Sequence, residues 1–227
     1  MFDRIINPKN FQEFTTLFPS AGTKMVSFDF ETDGNDFLTS KPVGVSLSCD
    51  GETAYYIPLA HPTEHNVSLE QFRDYMNKVI VPEYTMLSHN IQFDFIMMRK
   101  LGIDIPLRTI DTMQMANVLQ MKQLGLKTLA IAFNLLPFEQ IRNLEQVLTE
   151  YFGWVSPDPK KIKTIFDDPV KYHCGMVDPF LPKAQNYLQY CYNDAKLVIR
   201  LYNAILSVRK QKAEIVVSHE TRASIFE

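Results

Sequence analysis

Apolar and polar side chains alternate with a period of two along residues 24–30 (KMVSFDF), the rhythm of a strand. Val26, Phe28 and Phe30 share one face and read as core, while Met25, Ser27, Asp29 and Glu31 share the other. Residues 42–49 alternate Val43, Val45 and Leu47 with small residues, and 53–58 form a third run behind the Asp50-Gly51 hairpin signal. Residues 84–88 predict a fourth strand and 108–110 a short fifth. Helical spacing predicts a short helix over 10–17, one over 68–80 with Ser68 as N-cap, and one over 90–101 stopped by Gly102. Three more follow over 111–121, 126–135 and 138–151, with Asp111 as N-cap of the first.

The last helix spans 183–209. Leu188, Cys191, Ala195, Val198, Tyr202 and Ile205 recur along it at spacings of three and four. Tyr190 and Asp194 lie one turn apart on the neighbouring stripe, at the margin of the buried face. Strands first, a hairpin, then alternating helices and strands predict an α/β fold: a mixed five-stranded sheet with flanking helices. Residues 152–182 break the pattern with Pro157, Pro159, Pro169, Pro179, Pro182, Gly153 and Gly175. They read as an irregular insertion with one short helix over 159–166, the kind of long segment that in a compact domain is often functional or mobile.

Nothing in the composition divides the chain, so 1–227 is expected to be a single domain, and 227 residues suffice for a sizeable core. A net charge of −3 lacks the basic signature of a passive DNA-binding protein, but suits a site that must hold cations. Three cysteines without metal-type spacing are expected to be free thiols in a reducing compartment. The N-terminus has no secretion signal, and no apolar run is long enough to span a membrane. The expectation is a soluble cytoplasmic protein, with a bacterial or phage-infected cell as its setting. His61 and His65 find no further ligand at zinc spacing and read as loop residues. His89 reads as a residue that orders the entrance of a site or simply caps the strand, and Lys160, Lys161 and Lys163 as a solvated face that could also meet phosphates.

The chemistry concentrates in acids. Asp29 and Glu31 end an apolar strand on one face, and two carboxylates there need compensation. Asp94 lies in the helix opened by Asn90, and Asp194 in the last helix. If the four converge, each pair about 4 Å apart repels by about 4 kcal/mol at an effective dielectric near 20. Two divalent cations would neutralise them, and oxygen-only ligands favour Mg²⁺ or Mn²⁺. Two such ions about 3.5–4 Å apart form a clamp for in-line phosphodiester displacement. Tyr190, with an ordinary phenol pKa near 10, suits the positioning of water better than its deprotonation.

The segments SFDFETDG, LSHNIQFDFIMMRKLGID, IDTMQMANVL, LKTLAIAFNL and LQYCYNDAKLVIRLY cover about residues 25–202. In order and spacing they resemble the 3′-5′ proofreading exonuclease domain of family A DNA polymerases, the DEDDy branch of the DnaQ-like superfamily. The resemblance implies an RNase H-like fold, two metals held by Asp29, Glu31, Asp94 and Asp194, and water oriented by Tyr190. The histidine branch would place His where this chain has Gln189. Thr32 resembles a contact to the terminal nucleotide, Asn90 one near the penultimate nucleotide, and Phe138 an aromatic that stacks on the 3′ base. A leucine that wedges between bases in the family would fall near Asn35, a departure.

The implied activity is 3′-5′ exodeoxyribonuclease action on single-stranded or frayed DNA 3′ ends, with a DNA polymerase domain or subunit as the suggested partner. No polymerase domain follows within the 227 residues, so the chain is expected to be either a fragment or a stand-alone subunit. The alternatives are an RNA 3′ exonuclease similar to RNase D and a non-catalytic module that binds DNA or a polymerase. A missing metal ligand would favour the last, and none is missing.

Overall fold

The computed structural model describes residues 3–20, 22–34, 36–153 and 173–223, with side chains to residue 210. Asn35, the helix expected over 159–166 and the lysines at 160, 161 and 163 lie outside the described residues. Among the described residues the sheet has six strands: β1 (Arg4–Ile5), β2 (Met25–Thr32), β3 (Pro42–Ser48), β4 (Ala54–Pro58), β5 (Thr85–Ser88) and β6 (Thr109–Asp111). Their order is β1-β4-β3-β2-β5-β6. β2, β3 and β4 are antiparallel neighbours, whereas β1–β4, β2–β5 and β5–β6 run parallel. The sixth strand beyond the expected five is β1, whose two residues are too few for an alternation to register.

The helices are α1 (Phe11–Leu17), α2 (Leu69–Tyr75), α3 (Val81–Glu83), α4 (Ile91–Lys100), α5 (Thr112–Val118), α6 (Leu126–Ala132), α7 (Leu144–Tyr151) and α8 (Gln185–Ala223). A π-helical turn, Met76–Ile80, joins α2 to α3. The helix expected over 138–151 is split. A 3-10 turn at Phe138–Gln140 comes first, and α7 then restarts at a capping box in which Asn143 and Gln146 satisfy each other's backbone.

β2 divides the interior. Val26, Phe28 and Phe30 pack with Phe11, Phe72, Met97 and Met98 on one side. On the other side Ser27 is fully buried, and its hydroxyl lies 2.8 Å from the Ala195 carbonyl of α8. So small a residue allows the helix backbone to approach the strand directly. The register shifts between Glu31 and Thr32, an irregularity that re-aims the end of β2 where the acids lie.

α8 departs from the expected amphipathic stripe. All of residues 191–199 are buried, because α5, α6 and α7 cover the side of the helix that the sheet does not. Asp194 is therefore 5% exposed, not at a solvent margin. Among the described residues no helix is long and apolar enough to cross a membrane.

Candidate active site

Each acid arrives on a different constraint. Asp29 and Glu31 are two residues apart on β2, so both face α8. Asp94 sits in the first turn of α4, where its Oδ1 accepts from the Phe30 amide at 3.1 Å and its Oδ2 from the Ser88 hydroxyl. Its carboxylate is thereby bonded to the backbone between the two β2 acids. Asp194 follows from the contact of Ser27 with Ala195, its neighbour on α8.

The turn that opens α4 is built by Asp111, which accepts from the amides of Asn90 at 3.1 Å, Ile91 at 3.3 Å and Met113 at 2.9 Å. One side chain thus caps two helices, more than the single N-cap expected of it. Asn90 adopts a left-handed backbone (φ 67°) and is exposed. Asparagine tolerates this conformation well.

Burial among like charges disturbs the acids. Burial lifts the Asp29 carboxyl to about 6, with Lys127 acting against the rise. Burial, then the charge of Asp29, lifts Glu31 to about 8. Asp94 is held well above the usual carboxylate range by burial and by Asp29. The thiol of Cys174 lies 3.5 Å from Glu31 Oε2, and Cys191 bonds the same carboxyl. All three cysteines are free, as expected. Tyr190 is partly buried, and burial together with Glu31 and Asp29 raises its hydroxyl well above 10. It stays protonated at neutral pH, which leaves its hydroxyl able to donate a hydrogen bond and unsuited to act as a base.

Lys127 is the group that sequence reasoning missed. It occupies the first turn of α6, is ion-paired with Asp194 Oδ1, and stands 4.6 Å from the centre of the Tyr190 ring. Burial lowers its ammonium to about 8, opposed by the charges of Asp29 and Glu31. A signal existed: a cation in the first turn of a helix opposes the macrodipole. Its loop is anchored by His89, whose Nε2 donates to the Leu124 carbonyl at 2.7 Å while Nδ1 faces the Thr112 hydroxyl at 2.9 Å.

The donor set suits a hard cation. Among the described residues, buried Glu31 Oε1 has no hydrogen-bond partner, and Asp194 Oδ1 has only its ion pair with Lys127. Buried acceptors without donors are costly unless a cation meets them. Among the described residues no three His, Cys, Asp or Glu side chains already close round one point as a metal cage. The cation that stands among these acids is the lysine.

The other nominated residues are placed differently. The Thr32 hydroxyl turns back to the Gly34 carbonyl at 2.6 Å. Phe138 is 71% exposed and lies outside the core. It belongs to the 3-10 turn whose Gln140 carbonyl accepts from Asn193, the neighbour of Asp194, at 3.1 Å.

His61 lies in the loop between β4 and α2, as expected, but it is buried, at 4% exposed. Its Nδ1 donates to the Val177 carbonyl at 2.7 Å and its Nε2 accepts from Tyr56 at 2.6 Å, with Tyr187 2.9 Å behind Tyr56. Burial lowers it to about 4, so it is neutral. The arrangement demands Gly44, where a Cβ would lie 2.1 Å from the Tyr56 hydroxyl.

A six-stranded mixed sheet flanked by helices, with an acid of α4 bonded to the end of β2 and an acid of α8 beside it, is an RNase H-like architecture. A family model described as 3′-5′ exonuclease matches residues 8–209, and the chain belongs to that family. No curated protein matches the sequence closely enough to count as a relative. Among solved structures, Brucella melitensis NrnC is similar at 16% identity and TM-score 0.56, over 93% of this chain and 82% of that one. Trypanosoma brucei RNase D is 14% identical with TM-score 0.63, over 94% and 70% of the two chains. The Aedes aegypti Nibbler EXO domain is 14% identical with TM-score 0.55, over 93% and 89%. At such identities the likeness speaks for the fold.

Proposed function

We propose that this chain removes nucleotides one at a time from single-stranded or frayed DNA 3′ ends, with two divalent cations held by Asp29, Glu31, Asp94 and Asp194. The observation that carries the proposal is the chain of charge contacts in which Asp29 acts on both Glu31 and Asp94, while Lys127 acts on Asp29 and Glu31 and is ion-paired with Asp194. The cations supply charge neutralisation and water activation when bound, and Mg²⁺ is bound in one form of NrnC. Tyr190 keeps its proton and orients the attacking water. Phe138 offers an exposed ring for the 3′-terminal base. Thr32 and Asn90 lie towards the last two nucleotides. A base pair must open before the terminal phosphodiester reaches the acids, hence the preference for frayed ends.

The motif resemblance to proofreading domains is what supports DNA as substrate and a DNA polymerase as partner. A second reading, RNA 3′ ends, is favoured by the likeness to RNase D, one form of which is a complex with RNA U12. The test is a time course on matched 5′-labelled DNA and RNA strands with Mg²⁺, Mn²⁺ or EDTA. Stepwise shortening of DNA, abolished by EDTA and slowed on the order of a thousandfold by Asp29→Ala, supports the proposal. Both strands left intact, or near-native cleavage by Asp29→Ala, would overturn it; faster loss of RNA would install the second reading.

A further inference from the structure

Lys127 stands where a protein that needs metal would be expected to keep positive charge away. Its ammonium is ion-paired with Asp194, a proposed metal ligand, and its charge is felt by Asp29 and Glu31. The Tyr190 ring lies beneath it at 4.6 Å, a cation–π separation. The lysine side chain is 23% exposed and that of Asp194 only 6%, so the pair is largely withdrawn from water. Such pairs hold their geometry, and breaking one leaves an uncompensated charge.

The position is also unfavourable for α6 alone. A lysine in the first turn faces the positive end of the helix. The bond from His89 to the Leu124 carbonyl fixes the segment that leads into α6, which restrains where the lysine can reach. The local helix therefore gives no reason for a cation here; the acids across the pocket do.

We propose that Lys127 is a resident counter-cation of the carboxylate pocket, which an incoming divalent metal must displace from Asp194. Without metal it offsets part of the repulsion among the acids and holds Asp194 and Tyr190 in place. With metal its attraction to Asp194 becomes competition, so the lysine sets how much metal the site requires. Lys127 is thus a positioning residue that acts through Asp194. The inference rests on the proposed metal site, and its test separates the two.

The experiment is isothermal titration of the full chain with Mn²⁺ at pH 7, without nucleic acid, for the wild type, Lys127→Met and Lys127→Arg. Methionine keeps the length and helix propensity without the charge. Exchange of one partly buried ion pair for metal coordination should make Lys127→Met bind Mn²⁺ on the order of tenfold more tightly. It should also melt at a lower temperature in EDTA, and Lys127→Arg should stay near wild type in both respects. Unchanged or weaker Mn²⁺ binding by Lys127→Met, with wild type binding normally, would overturn the role of the lysine. Absence of Mn²⁺ binding by the wild type would instead overturn the metal site itself.

A second measurement needs no stable Met variant. The ¹⁵Nζ resonance of Lys127, assigned by its loss in Lys127→Arg, should shift in wild-type protein as Mg²⁺ is added, with the midpoint of metal binding. A resonance that stays still through saturation would overturn displacement.

Discussion

Replacing Asp29 by asparagine should stabilise the protein without metal while removing its activity with metal. Burial raises the Asp29 carboxyl from 3.8 to about 6 in the folded state, and the opposing attraction of Lys127 is already contained in that value. A rise of roughly two units corresponds to about 3 kcal/mol. Asp29 is only partly buried, and solvent screening reduces the figure to about 2 kcal/mol. The folded pKa lies above the unfolded one, so the contribution from this group is fully present below 3.8 and lost as pH rises through 6. Asparagine resembles the neutral form at every pH. Its advantage should be full above pH 6, shrink between 6 and 3.8, and vanish below. For a domain of this size, about 2 kcal/mol moves Tm by about 4–8 °C. The assay is scanning calorimetry in EDTA at pH 8 and at pH 4, followed by the same scans with Mn²⁺. With metal at pH 8 the wild type should gain more than the variant. A variant no more stable than wild type in EDTA at pH 8, or equally advantaged at both pH values, would refute the reasoning that Asp29 is a desolvated charge.

Other outcomes follow from the same geometry. His61 is held near 4 against 6.5 in the unfolded chain, so its contribution is present above 6.5 and lost as pH falls towards 4. The urea-unfolding advantage of wild type over His61→Gln should therefore shrink by about 3 kcal/mol between pH 7 and pH 4, and parallel pH curves would contradict this. Tyr190→Phe, which removes one oriented hydroxyl, should slow single-turnover cleavage by roughly ten- to a hundredfold, less than Asp29→Ala; a larger loss than Asp29→Ala would show that the hydroxyl does more than orient. Phe138→Ala should weaken single-strand binding by about 1–3 kcal/mol and leave folding unaffected, as read by fluorescence anisotropy and melting. Leu197→Ala in the fully buried stretch of α8 should destabilise by about 2–5 kcal/mol in urea titrations.

How far the sequence reached depended on the range of the physics. The alternation in β2 and the hairpin at Asp50-Gly51 are local, and five of the six strands were legible from them. The capping signals at Ser68 and Asp111 were legible for the same reason. The short strand β1 and the break before α7 were not, because two residues carry no period and a capping box can be hidden inside a run of helix formers. The burial of His61 depends on Tyr56 and Val177, and on the bare Cα of Gly44 beside them, partners that no spacing rule connects.

The sequence by itself determined the order of the acidic motifs, the class of fold and the face of β2 on which Asp29 and Glu31 lie. These follow from backbone period and side-chain type, which are properties of neighbours in the chain. Only the tertiary structure decided that residues 191–199 of α8 are covered on every side, that Asp94 bonds the backbone between the two strand acids, and that Lys127 stands among the carboxylates. Those facts come from charges and surfaces brought together across more than sixty residues, where Coulomb energy and desolvation depend on distance in space and not on separation along the chain.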